Sequence, residues 1–174
     1  MLAIWIKIDS EGPVFYRQVR VGKGNRDFRL FKFRSMRVGS DRKGLITVGG
    51  RDPRVTRSGY YIRKYKLDEL PQLINVFTGD MSLVGPRPEV RKYVDLYTPE
   101  QMHVLDVRPG ITDPASIRYR NENELLAQVE DPERYYVEVI MQDKLQLNLE
   151  YVEKQSFRFD LQLIFKTFSE IIRK

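Results

Sequence analysis

The sequence predicts an α+β fold: one small domain over residues 1–174, with an N-terminal β-hairpin followed by several helices. Three observations predict it. Two strand-like runs, VFYRQVRV and DFRLFKFR, flank the turn GKGN between Pro13 and Arg34. The C-terminal half carries apolar residues at helical spacing, and three stretches rich in Gly, Pro, Arg and Asp interrupt the periodic segments as loops. A chain of 174 residues is long enough for one domain with a real core and too short for two ordinary ones.

The elements follow in order. Leu2-Ala3-Ile4-Trp5-Ile6 is apolar from the outset and lacks the basic segment and cleavage site of a secretory signal. By itself it reads as a first strand or a core-packing terminus. The hairpin comes next, its glycines permitting the positive φ of a tight connection. Ser35 to Gly59 is polar, contains Gly49-Gly50 and RDPRVTRSG, and reads as a long loop of the kind that often serves function. Residues 60–77 read as helical around Leu67, Leu70, Leu73, Ile74 and Phe77, with Thr78-Gly79-Asp80 as the stop. SLVGPRPE is a second irregular stretch, a short helix runs from Pro99 to about Val107, and RPGITDP is a third loop. Helices follow over about Glu122–Val129, Pro132–Leu149 and Phe159–Arg173. The last places Leu161, Ile164, Phe165, Phe168, Ile171 and Ile172 on one stripe, with Lys166 and Arg173 outside it. Such a stripe suits a protein core, the commoner arrangement, or a membrane surface.

Composition narrows the chemistry. Thirty Lys and Arg against 24 Asp and Glu give a formal charge of +6, which favours an anionic partner: nucleic acid, a phosphorylated small molecule or an acidic membrane surface. The absence of cysteine excludes disulfides, zinc–thiolate sites and a cysteine nucleophile. The single histidine, His103, excludes any mechanism that needs two imidazoles. No run approaches the roughly 18–20 apolar residues of a membrane-spanning helix.

The segment YKLDELP carries the most chemistry. Pro71 is tolerated in a first helical turn, which puts a helix start two or three residues earlier and sets Asp68 and Glu69 at its N-terminus. An acidic residue there is ordinarily a cap. Capping leaves the basic neighbours Arg63, Lys64 and Lys66 without a role. A helix N-terminus also receives phosphate, and arginine binds phosphoryl oxygens bidentately. A carboxylate held there at low pKa can attack phosphorus once cations neutralise the phosphate, and a neighbouring carboxylate can bind Mg²⁺, which takes its other ligands from phosphate and water. In GPRPE, Pro86 and Pro88 flank Arg87 and hold its guanidinium on a stiff, extended support. Arg51, Arg54 and Arg57 add a basic loop that more often means a solvated surface than a defined site. No glycine cluster fits a P-loop or a dinucleotide-binding fingerprint.

These blocks in this order resemble a known family. GPVFYRQVRVG, FRLFKFRSM, RDPRVTRSGYYIRKYKLDELPQLINVFTGDMSLVGPRPE, VRPGIT and the C-terminal EYVEKQSFRFDLQLIFKT together resemble the bacterial sugar transferases, the monotopic phosphoglycosyl transferases. The resemblance covers nearly the whole chain. It implies transfer of a sugar 1-phosphate from a UDP-sugar to a polyprenyl phosphate, with release of UMP. It further implies Asp68 as nucleophile through a covalent phosphosugar intermediate, Glu69 as a ligand of Mg²⁺, Arg63 near phosphate, and Arg87 with Pro86 and Pro88 at the nucleotide end. Members carry a hydrophobic re-entrant helix before this region, so residues 1–8 resemble its last fragment. The implied location is the cytoplasmic face of the bacterial inner membrane, with amphipathic helices on an anionic membrane surface; the chain as it stands is expected to be soluble or peripheral. Where many members have PGITG followed by Gln-Val-Asn/Ser-Gly-Arg, this chain has Pro109 to Ile117 and then Arg118-Tyr119-Arg120, in a region linked to the substrate pocket. Lys66 stands where a capping Ser or Thr is usual.

The alternative from another class is a catalytically inactive basic module on membrane or nucleic acid. No nucleic acid is expected, because the aromatic residues fall at core spacing rather than as an exposed stacking series.

Overall fold

The computed structural model describes residues 1–40, 44, 46–49 and 52–172, without the side chains of 171 and 172. Gly50, Arg51 and Arg173, and the side chains of Ile171 and Ile172, therefore lie outside the described residues. The first segment is a helix, α1 (Leu2–Asp9), rather than a strand. It buries only Ile6 and leaves Ile4, Trp5 and Ile8 exposed. Its end is fixed by Arg34, whose buried guanidinium donates to the carbonyls of Ile6 (3.1 Å), Ser10 (2.6 Å) and Glu11 (2.6 Å). The Ser10 and Glu11 carbonyls lie past the helix end, and Ile6 O takes this bond in addition to the one from Ser10 N–H (3.3 Å), so a cation there satisfies the exit of the helix and opposes its dipole.

The hairpin forms as the sequence predicts. Strands β1 (Phe15–Val21) and β2 (Asp27–Phe33) pair antiparallel, from Phe15 opposite Phe33 to Val21 opposite Asp27. The turn uses left-handed backbone at Gly24 (φ 66°) and Asn25 (φ 61°), residue types that tolerate it.

The helix expected over 60–77 is two helices. The first, α2 (Arg57–Lys64), begins earlier than expected, capped by Thr56 Oγ1, which accepts from Gly59 N–H at 3.0 Å. Asp9 Oδ2 accepts from the Ser58 N–H (2.8 Å) and hydroxyl (2.7 Å), joining the end of α1 to the start of α2. Gly59 lets α2 approach the strand exit closely, since a Cβ there would sit 1.9 Å from the Ser35 carbonyl oxygen. The chain then turns left-handed at Lys66 (φ 56°), makes one 3-10 turn over Leu67–Glu69, and enters α3 (Gln72–Phe77). Pro71 explains the break. In a continuous helix its ring would collide with the Leu67 carbonyl and remove a hydrogen bond.

The loop after α3 contains a sheet that short periodicity cannot reveal. Strands β3 (Ser82–Val84) and β4 (Gly110–Thr112), both inside stretches read as irregular, pair in parallel. Three residues between prolines are too few to display an alternating pattern. Between them lie α4 (Arg91–Val94), which the sequence did not announce, and a 3-10 turn at Gln101–Leu105 in place of the helix expected from Pro99. Then come α5 (Pro114–Arg118), α6 (Glu122–Leu126) and α7 (Pro132–Tyr135); α7 passes through a π-type turn at Tyr136–Ile140 into α8 (Met141–Lys154). The last helix is α9 (Phe157–Ile172).

The main core gathers Val90, Tyr93 and Val104 against Leu126, Ile140, Met141 and Leu145. A second cluster joins Val84, Tyr151 and Leu163. Helix α9 packs through Leu163, with Phe159 and Ile164 partly buried against the same cluster, while Leu161, Phe165 and Phe168 of the expected core stripe stay exposed, Phe165 by 71%. Periodicity identifies an apolar face but does not say what covers it. Together with Phe77 (93% exposed) and Ile4 and Ile8, they leave several large apolar residues at the surface.

Asn75, fully buried, ties α3 to the hairpin. Its Oδ1 accepts from Phe31 N–H (2.9 Å) and its amide donates to Arg29 O (2.9 Å), pairing the outer edge of β2. Asn75→Leu is expected to strand both backbone groups and cost about 2–4 kcal/mol. A thermal melt checks it: an unchanged midpoint would mean that apolar contact alone holds α3.

Candidate active site

The dyad sits on the 3-10 turn between the left-handed Lys66 and Pro71. Asp68 points inward, 7% exposed, and its Oδ1 has no hydrogen-bond partner among the described residues. The Glu69 and Leu70 amides donate to Lys66 O (3.3 Å) and Leu67 O (3.2 Å) within the turn itself. The capping role that an acidic residue ordinarily plays at a helix start is thus not the one seen for this oxygen of Asp68.

Glu69 is held from two sides. The Arg87 guanidinium grips its carboxylate with both terminal nitrogens, Nη1 donating to Oε2 at 3.2 Å and Nη2 to Oε1, and Lys32 Nζ lies 3.5 Å from Oε1. The expectation of a low pKa on the attacking carboxylate falls instead on its neighbour. Burial pushes Asp68 above the ordinary carboxylate range, outweighing the pull of Lys32, and the charge of Glu69 pushes the same way. Burial opposes the Glu69 charge too, but Arg87 and Lys32 prevail and hold Glu69 well below that range. Burial draws Lys32 down to about 8 against the pull of Glu69. Glu69 keeps Arg87 more firmly protonated than usual.

Arg87 stands between its two prolines on a segment that is neither helix nor strand. Its N–H donates to Asp113 Oδ2 at 2.6 Å. Pro86 O accepts from Gly110 N–H (3.0 Å), and Pro88 O accepts from Arg20 Nη1 (3.1 Å), so both prolines brace the loop. Arg63, on the last turn of α2, donates to Thr47 Oγ1 (3.3 Å) and reaches the same space as the dyad. Arg54 is committed elsewhere, paired with Asp52 at 2.6 Å and bonded to the Ile46 carbonyl at 2.7 Å.

Two residues of the site escaped sequence reasoning. Lys32 shares a strand face with buried Leu30, so the signal was a lysine on the inward side of β2. Asp113 reads as a simple cap of α5 and does accept from Ser116 N–H. Its other oxygen takes the Arg87 amide, which no local pattern announces.

Two cavities meet the dyad. One, about 570 Å³, is lined by Gln18, Tyr93, Tyr97, Tyr136 and Asn148. The other, about 610 Å³, is lined by Leu70, Leu73, Leu83, Ile111, Ile164 and Phe168. Asp68, Lys32, Arg63 and Arg87 line both. Among the described residues no group of three or more His, Cys, Asp or Glu forms a metal cage. The dyad fits the one or two protein carboxylates that Mg²⁺ keeps when phosphate and water supply the rest. Glu69 is the ionised member of the pair, and in this structure both its oxygens are already met by cations, Oε1 by Arg87 and Lys32 and Oε2 by Arg87.

The profile described as Bacterial sugar transferase matches residues 1–174. The chain belongs to the bacterial sugar transferase family. Within it, a UDP-N-acetylgalactosamine-undecaprenyl-phosphate N-acetylgalactosaminephosphotransferase from Aeromonas hydrophila is 42% identical over 173 residues, covering 98% of this chain and 38% of that protein. A UDP-glucose:undecaprenyl-phosphate glucose-1-phosphate transferase from Escherichia coli strain K12 is 37% identical over 170 residues, 95% of this chain and 34% of that one. An uncharacterized sugar transferase from Bacillus subtilis strain 168 is 37% identical over 167 residues, 96% of this chain and 74% of that one. The chain thus spans little more than a third of two of these sugar transferases.

The raised pKa of Asp68 has a thermodynamic consequence. The folded state binds this proton more tightly than the unfolded one, so stability falls as pH rises from the ordinary carboxylate range, and burial of this group opposes folding at pH 7. Asp68→Asn is expected to melt higher than wild type at pH 7, by about 2–4 °C for each kcal/mol relieved, with the gain shrinking toward pH 4. Equal midpoints at pH 7 would refute the penalty.

Proposed function

We propose that this sugar transferase moves a sugar 1-phosphate from a UDP-sugar to a polyprenyl phosphate through Asp68. The observation that carries the reading is a buried carboxylate with an unpartnered oxygen on the shared wall of two cavities, ringed by Lys32, Arg63 and Arg87. Asp68 attacks the sugar-bearing phosphorus of the diphosphate. A bond forms from the carboxylate oxygen to phosphorus as the bridging P–O bond breaks, and the bridging oxygen leaves with UMP. A phosphate oxygen of the acceptor then attacks the aspartyl phosphosugar and releases Asp68, giving the polyprenyl diphosphate sugar.

Each neighbour has a part. The carboxylate is stripped of water by burial, which leaves its charge available to an electrophile once cations offset the substrate's phosphates. Arg63 and Lys32 supply such cations on one side, and Arg87, braced by Pro86 and Pro88, on the nucleotide side. Glu69 stays ionised under Arg87 and Lys32 and is the residue that would hold Mg²⁺. Bound there, Mg²⁺ neutralises diphosphate charge. The exposed apolar residues of α1, α3 and α9 and the net positive charge favour an anionic membrane surface at the cytoplasmic face of the inner membrane. No helix among the described residues is long and apolar enough to cross a membrane. The inactive-module alternative is not favoured, since relatives matched over almost this entire length are named as transferases.

Intact-protein mass spectrometry tests the reaction. Incubation with UDP-N-acetylgalactosamine or UDP-glucose and Mg²⁺, without acceptor, is expected to add one sugar-phosphate mass to wild type and none to Asp68→Asn. An adduct on both proteins, or turnover by the variant, would sink the nucleophile assignment.

Lys32 sets an alkaline limit. It loses its charge as pH rises through about 8, so kcat/KM for the first half-reaction is expected to fall above that pH. In Lys32→Arg the limb is expected to move beyond the measurable range. A limb unmoved by that substitution would assign it to another group.

A further inference from the structure

The two cavities at the dyad differ in chemistry, and the difference points to their occupants. The larger lies between α3, β3, β4 and α9, with Leu70, Leu73, Leu83, Ile111, Ile164 and Phe168 in its wall. Four of these, Leu70, Leu73, Leu83 and Phe168, are about half exposed, an unusual state for large apolar residues that line one hollow. The same cavity is also lined by Lys32, Arg63, Lys66 and Arg87 around Asp68 and Glu69, with Glu122 and Glu170 as its further carboxylates. An apolar wall that leads to a cluster of cations beside a carboxylate matches a ligand with an anionic head and a hydrocarbon tail. The wall also continues outward. Phe77 lies one turn beyond Leu73 on α3, Phe165 one turn before Phe168 on α9, and both are exposed. The other cavity mixes apolar residues such as Phe33 and Ile46 with more hydrogen-bonding groups, among them Gln18, Tyr97 and Asn148, and suits a more polar ligand.

We infer that the cavity between α3 and α9 seats the phosphate-proximal isoprene units of the polyprenyl acceptor, so that acceptor and nucleotide sugar reach Asp68 through separate mouths. This rests on the reaction proposed above. Leu70, Leu73, Leu83 and Phe168 hold the tail by contact, while Arg63 and Lys66 meet the phosphate. The donor half-reaction makes no use of this wall. Acceptor selectivity by chain length therefore resides in α3 and α9, apart from sugar selectivity.

The test separates the half-reactions, with every assay in detergent micelles so that bilayer docking does not enter. The aspartyl adduct is formed with UDP-N-acetylgalactosamine or UDP-glucose and discharged with polyprenyl phosphates of increasing length. Leu73→Asp and Phe168→Asp, both at exposed positions, are expected to form adduct within two-fold of wild type. They are also expected to raise the KM for long-chain acceptor at least ten-fold and to flatten its dependence on chain length. Leu73→Met and Phe168→Leu are expected to restore both. An unaltered acceptor KM in both Asp variants would overturn the assignment, as would loss of adduct formation along with discharge, which would give the cavity to the donor or to the fold. A defect seen on anionic vesicles but absent in micelles would assign these residues to bilayer contact and overturn it equally. Failure of wild type to form adduct would instead strike the proposed reaction, and it is read before any acceptor is added.

Discussion

Arg87 is bonded at both ends, and the arrangement of the site depends on it. Its guanidinium takes the Glu69 carboxylate and its main-chain amide takes Asp113, so one residue fastens the dyad turn to the loop after β3 and to the junction of β4 and α5. The geometry tolerates little substitution. A lysine would keep the charge but not the two-pronged grip; loss of Glu69 would leave the half-buried guanidinium without its carboxylate, and loss of Asp113 would strand the Arg87 amide. Asp113 is the less obvious member. It serves as cap of α5 and as anchor of the arginine, which makes the start of one short helix part of the active-site frame.

Two carboxylates on adjacent residues end in opposite electrostatic states, and the backbone is the cause. A 3-10 turn entered from left-handed Lys66 directs Asp68 into the protein and Glu69 toward Arg87 and Lys32. One meets low dielectric with an oxygen unpaired; the other meets two cations. A pair of acidic groups whose environments push their affinities for protons apart can divide labour between attack and charge-holding. The penalty on Asp68 is borne by the rest of the domain, including the Asn75 bonds that lock α3 to the hairpin and Gly59, which lets α2 close on the strand exit.

Much of this was legible in the residues. The hairpin announced itself through GKGN between alternating runs, the helices after Glu122 through their spacing, and the dyad through a proline that permits only a helix start. What stayed hidden was set by distant contacts or by segments too short to show a period. Strands β3 and β4 have three residues each. The left-handed turn sits on a lysine, a residue type that carries no signal for it. Lys32 could have been suspected from its place on an inward strand face, but the carboxylate that accounts for it lies 37 positions along the chain. The stripe on α9 was read correctly as apolar and its Ile164 packs against the second cluster, yet the buried residue there is Leu163, off the stripe, and Phe165 and Phe168 stay exposed, because amphipathicity does not reveal which neighbour arrives.

The Arg34 clasp bears on how this domain can diverge. Three of its four bonds go to main-chain carbonyls, of Ile6, Ser10 and Glu11, and the fourth to the Ser10 hydroxyl. A grip on carbonyls is indifferent to most side chains. Exposed residues of α1 such as Ile4 and Ile8 are therefore free to vary with whatever surface they rest against, while Ile6, Asp9 and Trp5, whose ring lies 5.9 Å from that of Tyr61, hold the direction in which the helix leaves the domain. The junction behaves as a standardised coupling, one that would let unrelated leading helices be exchanged on the same domain without retuning its interior.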